Sequence, residues 1–115
     1  MAKMDRVFVP LTKENFEDFS RGKRWEVRRH ERNWKAPYVR PGRHVTVGCG
    51  YSGPRIEGTI GRVETGALSD IFEVVFYKDI EPRAASREAA WRMNRDILGD
   101  VSNCVAFEII QKAPQ

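Results

Sequence analysis

Cysteine is scarce in this sequence. Only Cys49 and Cys104 occur among the 115 residues, far apart and outside any CxxC pair. This usage excludes the disulfide framework of a small secreted domain and predicts two reduced thiols in a cytoplasmic protein. A structural zinc site would need both cysteines together with His30 and His44, none of which stands in the close pairs that such sites use. We therefore expect no metal site, and nothing in the sequence calls for an organic cofactor.

Long apolar runs are also missing. No stretch is long enough to cross a bilayer, no signal-peptide pattern is present, and no segment is repeated or of low complexity. These absences predict that the protein has no membrane partner. Hydrophobic residues make up 41% and charged residues 31% of the chain, which are globular values. We expect a single domain over residues 1–115 with a core of its own, and we assume a monomer because the sequence gives no sign of its oligomeric state.

Acidic residues are few in one part of the chain. Residues 21–43, called the basic segment below, hold nine basic and two acidic side chains, a net charge of +7 within a chain whose total is +4. The rest of the chain therefore carries −3. A positive field concentrated in one place attracts polyanions, most often nucleic acid.

The spacing of apolar and turn residues predicts an α+β fold. In chain order the predicted elements are a strand before Pro10, a helix from Thr12 to about Arg21, strands around Trp25, Val45, Arg55–Val63 and Ile71–Tyr77, a helix from Ser86 to Leu98, and a final strand Val105–Ile109. This order favours a curved, mostly antiparallel sheet of about five to six strands with two main helices. Such a sheet can close into a small β-barrel.

Finer features of these elements are also predicted. Thr12 and Ser86 are placed to cap the N-termini of the two helices. Gly61 indicates a bulge or a sharp bend in the fourth strand, where the apolar positions change parity. The inner stripe of the second helix is expected to be Ala90, Met93 and Ile97. On the last strand we expect alternation, with residues 105, 107 and 109 facing inward and residues 106 and 108 facing outward.

The basic segment begins at a helix-to-strand corner. Gly22 is placed to end the first helix, and Lys23, Glu26 and Arg28 follow at the start of the next strand. A cation and a carboxylate are thus delivered together, at the kind of position where scaffolds present functional side chains. The alternative interpretation of Lys23 and Glu26 is a surface ion pair of little energetic consequence.

The same segment continues into a long loop from His30 to Gly42. Long ordered loops in compact domains are usually functional, and aromatic faces beside arginine and lysine suit base stacking and phosphate contact. The candidate nucleic-acid-binding residues are Lys23, Arg24, Glu26, Arg28, Arg32, Trp34, Lys35, Tyr38 and Arg40. For Trp34 the alternative role is to close one end of the barrel.

In these residues the chain resembles the ASCH domain family, a branch of the PUA-like superfamily. The resemblance rests on a helix ending at Gly22, the run Lys23-x-x-Glu26-x-Arg28, the turn Pro41–Gly42 before the next strand, and the last strand. It implies a PUA-like barrel, a cleft beside the strand that carries the run, and a tie to RNA binding.

The resemblance also implies a possible chemistry. Some ASCH proteins are hydrolases that remove the acetyl group of N4-acetylcytidine with a lysine, a threonine and a glutamate, and others are ribonucleases. Lys23 matches that lysine, whereas Glu26 stands in place of the threonine. The resemblance does not assign the third, acidic residue, for which Glu73 and Glu88 are guesses.

Three functions remain open at this point. The leading hypothesis is a module that binds nucleic acid, RNA above all. The second is a hydrolase of a modified nucleoside or of RNA, with Lys23 and Glu26 as its catalytic residues and water activated by a glutamate. The third is a regulatory module that binds an acidic protein.

Overall fold

A computed structural model describes residues 6–31, 34 and 38–112 of the chain. They form five strands, β1 Arg6–Leu11, β2 Trp25–Arg29, β3 His44–Cys49, β4 Arg55–Gly66 and β5 Cys104–Gln111. The helices are α1 Lys13–Glu17, α2 Leu68–Val74, α3 Tyr77–Ile80 and α4 Arg87–Leu98, and a 3₁₀ turn, Asp18–Arg21, continues α1. None of the described helices is long and apolar enough to span a membrane.

The five strands form one mixed sheet in the order β1-β3-β4-β5-β2. β1 runs parallel to β3, and the other three pairings are antiparallel. The sheet curls into a half-barrel, so the predicted α+β fold with a small, mostly antiparallel barrel is confirmed. A register shift between Ile60 and Val63 confirms the predicted irregularity at Gly61.

The ends of the first and last helices follow from local chemistry that was predicted. The Thr12 hydroxyl accepts a hydrogen bond from the Asn15 N–H at the start of α1, and the Ser86 hydroxyl accepts one from Ala89 at the start of α4. Gly22 ends the 3₁₀ turn with a φ of 109°, a left-handed conformation that favours glycine. This turn delivers the chain into β2.

Hydrophobic side chains pack on both faces of the sheet. The inner cluster fills the half-barrel and includes Val9, Val47 and Phe107, while the outer cluster lies between the sheet and α2–α4. β5 contributes to both clusters, because Val105 and Phe107 face the inner one while Cys104 and Ala106 face the outer one. The alternation predicted for residues 105, 106, 107 and 109 of this strand is therefore confirmed, and the outward-facing Ala106 is buried because the helices cover that face.

The prediction of a strand at Ile71–Tyr77 was wrong. This part of the chain forms α2, whose buried residues Leu68, Ile71 and Phe72, followed by Val75, recur at helical spacing. A short apolar run is compatible with a buried strand or with a buried helix, and here the spacing of its four buried residues decides for the helix.

The inner stripe predicted for α4 needs a smaller correction. Ile97 was expected to face inward but is 67% exposed. Ala90 and Asn94 are the buried residues of this helix, spaced by four, and Met93 packs partly against the outer cluster. A polar side chain thus holds a buried position that the apolar pattern alone does not reveal.

Candidate functional site

The curled sheet leaves an open seam between its two edge strands, β1 and β2. A cleft of about 220 Å³ lies at this seam. It is lined by Pro10, Leu11, Thr12, Asn15, Lys23, Glu26, Val27, Arg28, Glu81, Asn94, Ile97 and Leu98. The Arg28 side chain crosses the seam, since its Nη2 donates to the Pro10 carbonyl at 3.2 Å.

Lys23 lies at the base of this cleft and is buried. The turn at Gly22 directs it there, and its Nζ donates to the Ile80 carbonyl at 2.7 Å. The Glu26 carboxylate lies 3.4 Å from the same Nζ. An ammonium group has three N–H donors, so these two acceptors leave donor capacity for a third.

Glu26 is held between two cations. One of its carboxylate oxygens faces Lys23, and the other accepts a 2.7 Å hydrogen bond from the Arg28 Nε. All three side chains are on or next to β2, and Lys23 and Glu26 are almost fully buried. The surface ion pair considered from the sequence is therefore a buried one, and a buried charge is costly unless it is paired in this way.

Glu81 and Asn94 complete the polar lining and were not predicted. Glu81 follows α3, and its Oε2 accepts a 3.0 Å hydrogen bond from the Asn94 Nδ2 on α4. Burial raises the pKa of the Glu81 carboxyl, and the negative charges of Glu26 and Asp18 add to the rise, while Lys23 and the Asn94 hydrogen bond oppose it. The cleft thus contains a carboxyl group that holds its proton more tightly than one in water.

The two acids guessed from the sequence lie elsewhere. Glu73 is 66% exposed and pairs with Arg87, and Glu88 is 72% exposed and pairs with Arg92. Glu81 carries no sequence signal of its own, because it sits in a linker next to Pro82. Because residues 71–77 were predicted as a strand, the position of this linker near β2 was not anticipated. The helix before the linker contacts the start of β2, since the Arg24 N–H donates to the Asp79 carbonyl.

Trp34 and Tyr38, from the long loop, pack against the barrel. The Trp34 ring stacks on Phe107, with centroids 6.0 Å apart, and the Arg28 guanidinium lies 4.7 Å from the Trp34 centroid. The Tyr38 hydroxyl accepts a hydrogen bond from the Phe8 N–H at 3.1 Å. Both aromatic residues are half-buried, and Arg28 links Trp34 to the wall of the cleft.

Of the remaining predicted site residues, the two that the structure describes lie away from the cleft. Arg24 and Arg40 are exposed and are not part of the cleft lining. Arg32 and Lys35 lie outside the described residues. The structure thus brings Lys23, Glu26 and Arg28 together in the cleft, and Trp34 reaches it through Arg28.

The described residues contain no group of three or more His, Cys, Asp or Glu side chains that could hold a metal ion. Cys49 and Cys104 are both free, and burial raises the pKa of the Cys104 thiol. The chemistry that the cleft does offer comes from two carboxyl groups, an ammonium, a guanidinium, two amides and a hydroxyl. These groups can donate to and accept from the polar edge of a small planar ligand.

Comparison with sequence families and with curated proteins finds no match. Comparison with solved structures finds the hypothetical protein PH0355, with a TM-score of 0.74 and 15% identity over 93% of this chain and 99% of that one. Protein PF0455 from Pyrococcus furiosus matches with a TM-score of 0.68 and 17% identity over 95% of this chain and 99% of that one.

A protein described as ASCH, from Zymomonas mobilis, matches with a TM-score of 0.63 and 13% identity. The match covers 93% of this chain and 68% of that one. At such low identity the likeness concerns the fold alone. The fold is ASCH-like, as the resemblance implied.

Proposed function

We propose that this ASCH-like domain binds single-stranded RNA and takes one base into the cleft between β1 and β2. The observation that carries the proposal is the cleft, where buried polar groups surround a space of about 220 Å³ next to the basic segment. Pockets for drug-sized ligands measure roughly 300–1,000 Å³. The smaller volume here suits a single nucleobase.

The polar groups of the cleft match the edge of a base. The carboxylates of Glu26 and Glu81 accept hydrogen bonds from exocyclic amino or ring N–H groups. The remaining N–H capacity of Lys23 serves a base carbonyl. Unstacked bases of single-stranded RNA are recognised through such edges, whereas the paired bases of a duplex do not expose them to a cleft.

The basic segment supplies the attraction to phosphate. Its charge of +7 favours a polyanion, and the exposed side chains of Arg24 and Arg40 are proposed to contact the RNA backbone, together with Arg32 and Lys35. Trp34 and Tyr38 are proposed to act at the edge of the bound strand and to hold Arg28 in place. The free thiols fit a protein that works in the reducing cytoplasm.

The test is a fluorescence-anisotropy titration with single-stranded RNA, duplex RNA and DNA at two salt concentrations. We expect single-stranded RNA to bind best, with affinity that falls as salt rises. Glu81→Gln should weaken binding at least about threefold, since it replaces a hydrogen-bonding carboxylate. The double variant Arg24→Ala/Arg40→Ala should weaken binding and reduce the slope of its salt dependence by about two, one for each lost phosphate contact.

Matched controls come from α4. Glu88→Gln and Arg92→Ala change the same kinds of side chain at exposed positions outside the cleft. Both should bind RNA as the unmodified protein does. Absence of RNA binding at low salt would overturn the proposal, and so would equal effects of Glu81→Gln and Glu88→Gln. Retention by an acidic protein instead would favour the interaction module.

A second candidate function is hydrolysis of an acylated nucleoside. The observation that favours it is the raised pKa of Glu81 beside a buried lysine, a pattern typical of proton-transfer sites. In this scheme the Glu81 carboxylate takes a proton from water as the water oxygen attacks the acyl carbon, and Lys23 stabilises the oxyanion. The acyl C–N bond then breaks, and the proton passes from Glu81 to the leaving amine.

Chromatography of N4-acetylcytidine incubated with the protein tests this scheme. Turnover should give cytidine and acetate, and it should be lost in Glu81→Gln and in Lys23→Ala while Glu88→Gln retains it. Binding of the nucleoside without any product would exclude the hydrolase and leave the binding function in place.

A further inference from the structure

A cluster of aromatic and arginine side chains lies on the outer face of the sheet, beside the cleft. It consists of Arg6 and Phe8 on β1, Tyr51 in the turn between β3 and β4, and Arg55 at the start of β4. These four residues are called the aromatic–arginine patch below. None of them lines the cleft, and their role is not part of the function proposed above.

Phe8 is the centre of the patch. The Arg55 guanidinium lies 5.2 Å and the Arg6 guanidinium 5.7 Å from the centroid of its ring, and the Tyr51 centroid is 5.7 Å away at an angle of 36°. A Cβ on Gly48 would come within 3.0 Å of the Phe8 ring, so the absence of a side chain there makes room for the ring. The patch is thus packed around Phe8 and not scattered.

Each arginine is also held by a hydrogen bond. The Arg6 Nη1 donates to the Thr46 hydroxyl at 2.9 Å, and the Arg55 Nη2 donates to the Tyr51 carbonyl at 3.1 Å. A guanidinium has five N–H donors, so each retains most of its capacity for a phosphate. Because both are already positioned, little side-chain entropy remains to be lost on binding.

Tyr51 presents the exposed aromatic surface of the patch. Its side chain is 76% exposed, although it stands next to two cations and another ring. Exposure of one tyrosine is ordinary, but an exposed ring flanked by positioned arginines combines a stacking surface with phosphate ligands. The nearby acid, Glu57, accepts hydrogen bonds from the Thr46 hydroxyl and from His44 through one carboxylate oxygen, and its charge also acts on Arg6.

The patch and the cleft share one strand. Pro10 lines the cleft and lies two residues from Phe8, which corresponds to about 7 Å along β1. The turn that carries Tyr51 is fastened to the end of the same strand, since the Gly50 N–H donates to the Leu11 carbonyl at 2.8 Å. A nucleotide strand that leaves the cleft across Pro10 therefore meets the patch next.

We propose that the aromatic–arginine patch is a second contact for the same RNA strand. A base that neighbours the one in the cleft stacks on Tyr51, and Arg6 and Arg55 bind the phosphates beside it. This inference rests on the proposed function and adds a direction to it, because the bound strand runs from the seam onto the outer face of β1 and β3.

The test compares RNA ligands of increasing length, from a single nucleotide to an octamer, by anisotropy and by competition. Tyr51→Ala should leave mononucleotide binding unchanged and weaken octamer binding about tenfold, the order expected for one stacked base. Arg55→Ala should lower the salt slope for the octamer by about one. Arg92→Ala serves as the control arginine, and ultraviolet crosslinking of the octamer followed by mass spectrometry should identify Tyr51.

The outcomes separate this inference from the function on which it rests. If RNA binds and Glu81→Gln weakens it, but Tyr51→Ala and Arg55→Ala match the unmodified protein at every length, the patch is overturned and the cleft stands. If Tyr51→Ala weakens binding while Glu81→Gln does not, the patch stands and the cleft is wrong. If no RNA binds, both fail.

Discussion

Glu81 should give the stability of the protein a distinctive dependence on pH. Its folded-state pKa is raised above the ordinary value of 4.5, chiefly by burial, so folding favours the neutral carboxyl. The stability that follows is fully present below the unfolded-state pKa and is lost as the pH rises through the folded-state pKa. Glu81→Gln removes this loss. In thermal unfolding experiments from pH 4 to pH 8, the melting temperature of Glu81→Gln should rise relative to that of the unmodified protein as the pH increases.

The comparison needs a carboxylate whose removal leaves the pH profile unchanged. Glu88→Gln provides it, because Glu88 is exposed and lies outside the cleft. Parallel profiles for Glu81→Gln and the unmodified protein would contradict the raised pKa.

Asp18 is a second residue whose surroundings make a measurable prediction. Its buried carboxylate accepts two hydrogen bonds from Arg83, at 2.7 and 3.0 Å, and one from Arg21. Arg83→Ala removes two of these three hydrogen bonds, so we expect a loss of about 1–3 kcal/mol in the free energy of unfolding, toward the lower end because Arg83 is partly exposed. Urea denaturation measures this loss. Arg92→Ala, which breaks only an exposed pair on α4, should cost no more than about 0.5 kcal/mol, and equal losses would argue against the prediction.

Some residues of the cleft could be predicted from the sequence, and others could not. Lys23, Glu26 and Arg28 are close in sequence and follow the turn at Gly22, so local spacing brings them together. Glu81 and Asn94 come from a linker and a helix far along the chain, and no local pattern connects them with β2. The half-burial of Trp34 depends on Phe107, which is another contact between distant parts of the sequence.

At the level of single elements, β5 is buried along four consecutive residues, from Cys104 to Phe107. Phe107→Ala should lower the free energy of unfolding by about 3–5 kcal/mol, because it leaves a cavity inside the half-barrel. Ile110→Ala, on the same strand, should cost under about 1 kcal/mol, since Ile110 is 54% exposed. Chemical denaturation of the two variants checks the difference. Similar losses at both positions would mean that β5 is not buried as described.

The elements themselves were predicted best where the chain carries explicit signals. The caps at Thr12 and Ser86, the stop at Gly22 and the bulge near Gly61 are all local features, and all are confirmed. The prediction failed at α2, an apolar run with no cap hydrogen bond from a side chain at its start. Its state is decided by packing between the sheet and α4, which local sequence does not record.

At the level of the whole molecule, the two hydrophobic clusters share the sheet. Because β5 belongs to both, the clusters should unfold in one transition. Trp34 reports on the inner cluster and Trp91 on the outer one. In variants that keep only one of these tryptophans, with phenylalanine at the other two tryptophan positions, the urea midpoint from fluorescence should coincide with that from circular dichroism. Two separated midpoints within one variant would show that the helices detach before the barrel opens.

The seam between β1 and β2 also bears on how copies of the protein behave toward one another. Unpaired N–H and C=O groups on an edge strand can accept a foreign strand and begin aggregation. Along β1 the groups that face the seam belong to alternate residues, including Phe8 and Pro10. The Phe8 N–H is taken by the Tyr38 hydroxyl, Pro10 has no N–H to offer, and its carbonyl accepts from Arg28. The side chains of Tyr38 and Arg28 and one proline thus keep this edge from pairing with a strand of another molecule, while the cleft at the seam remains open.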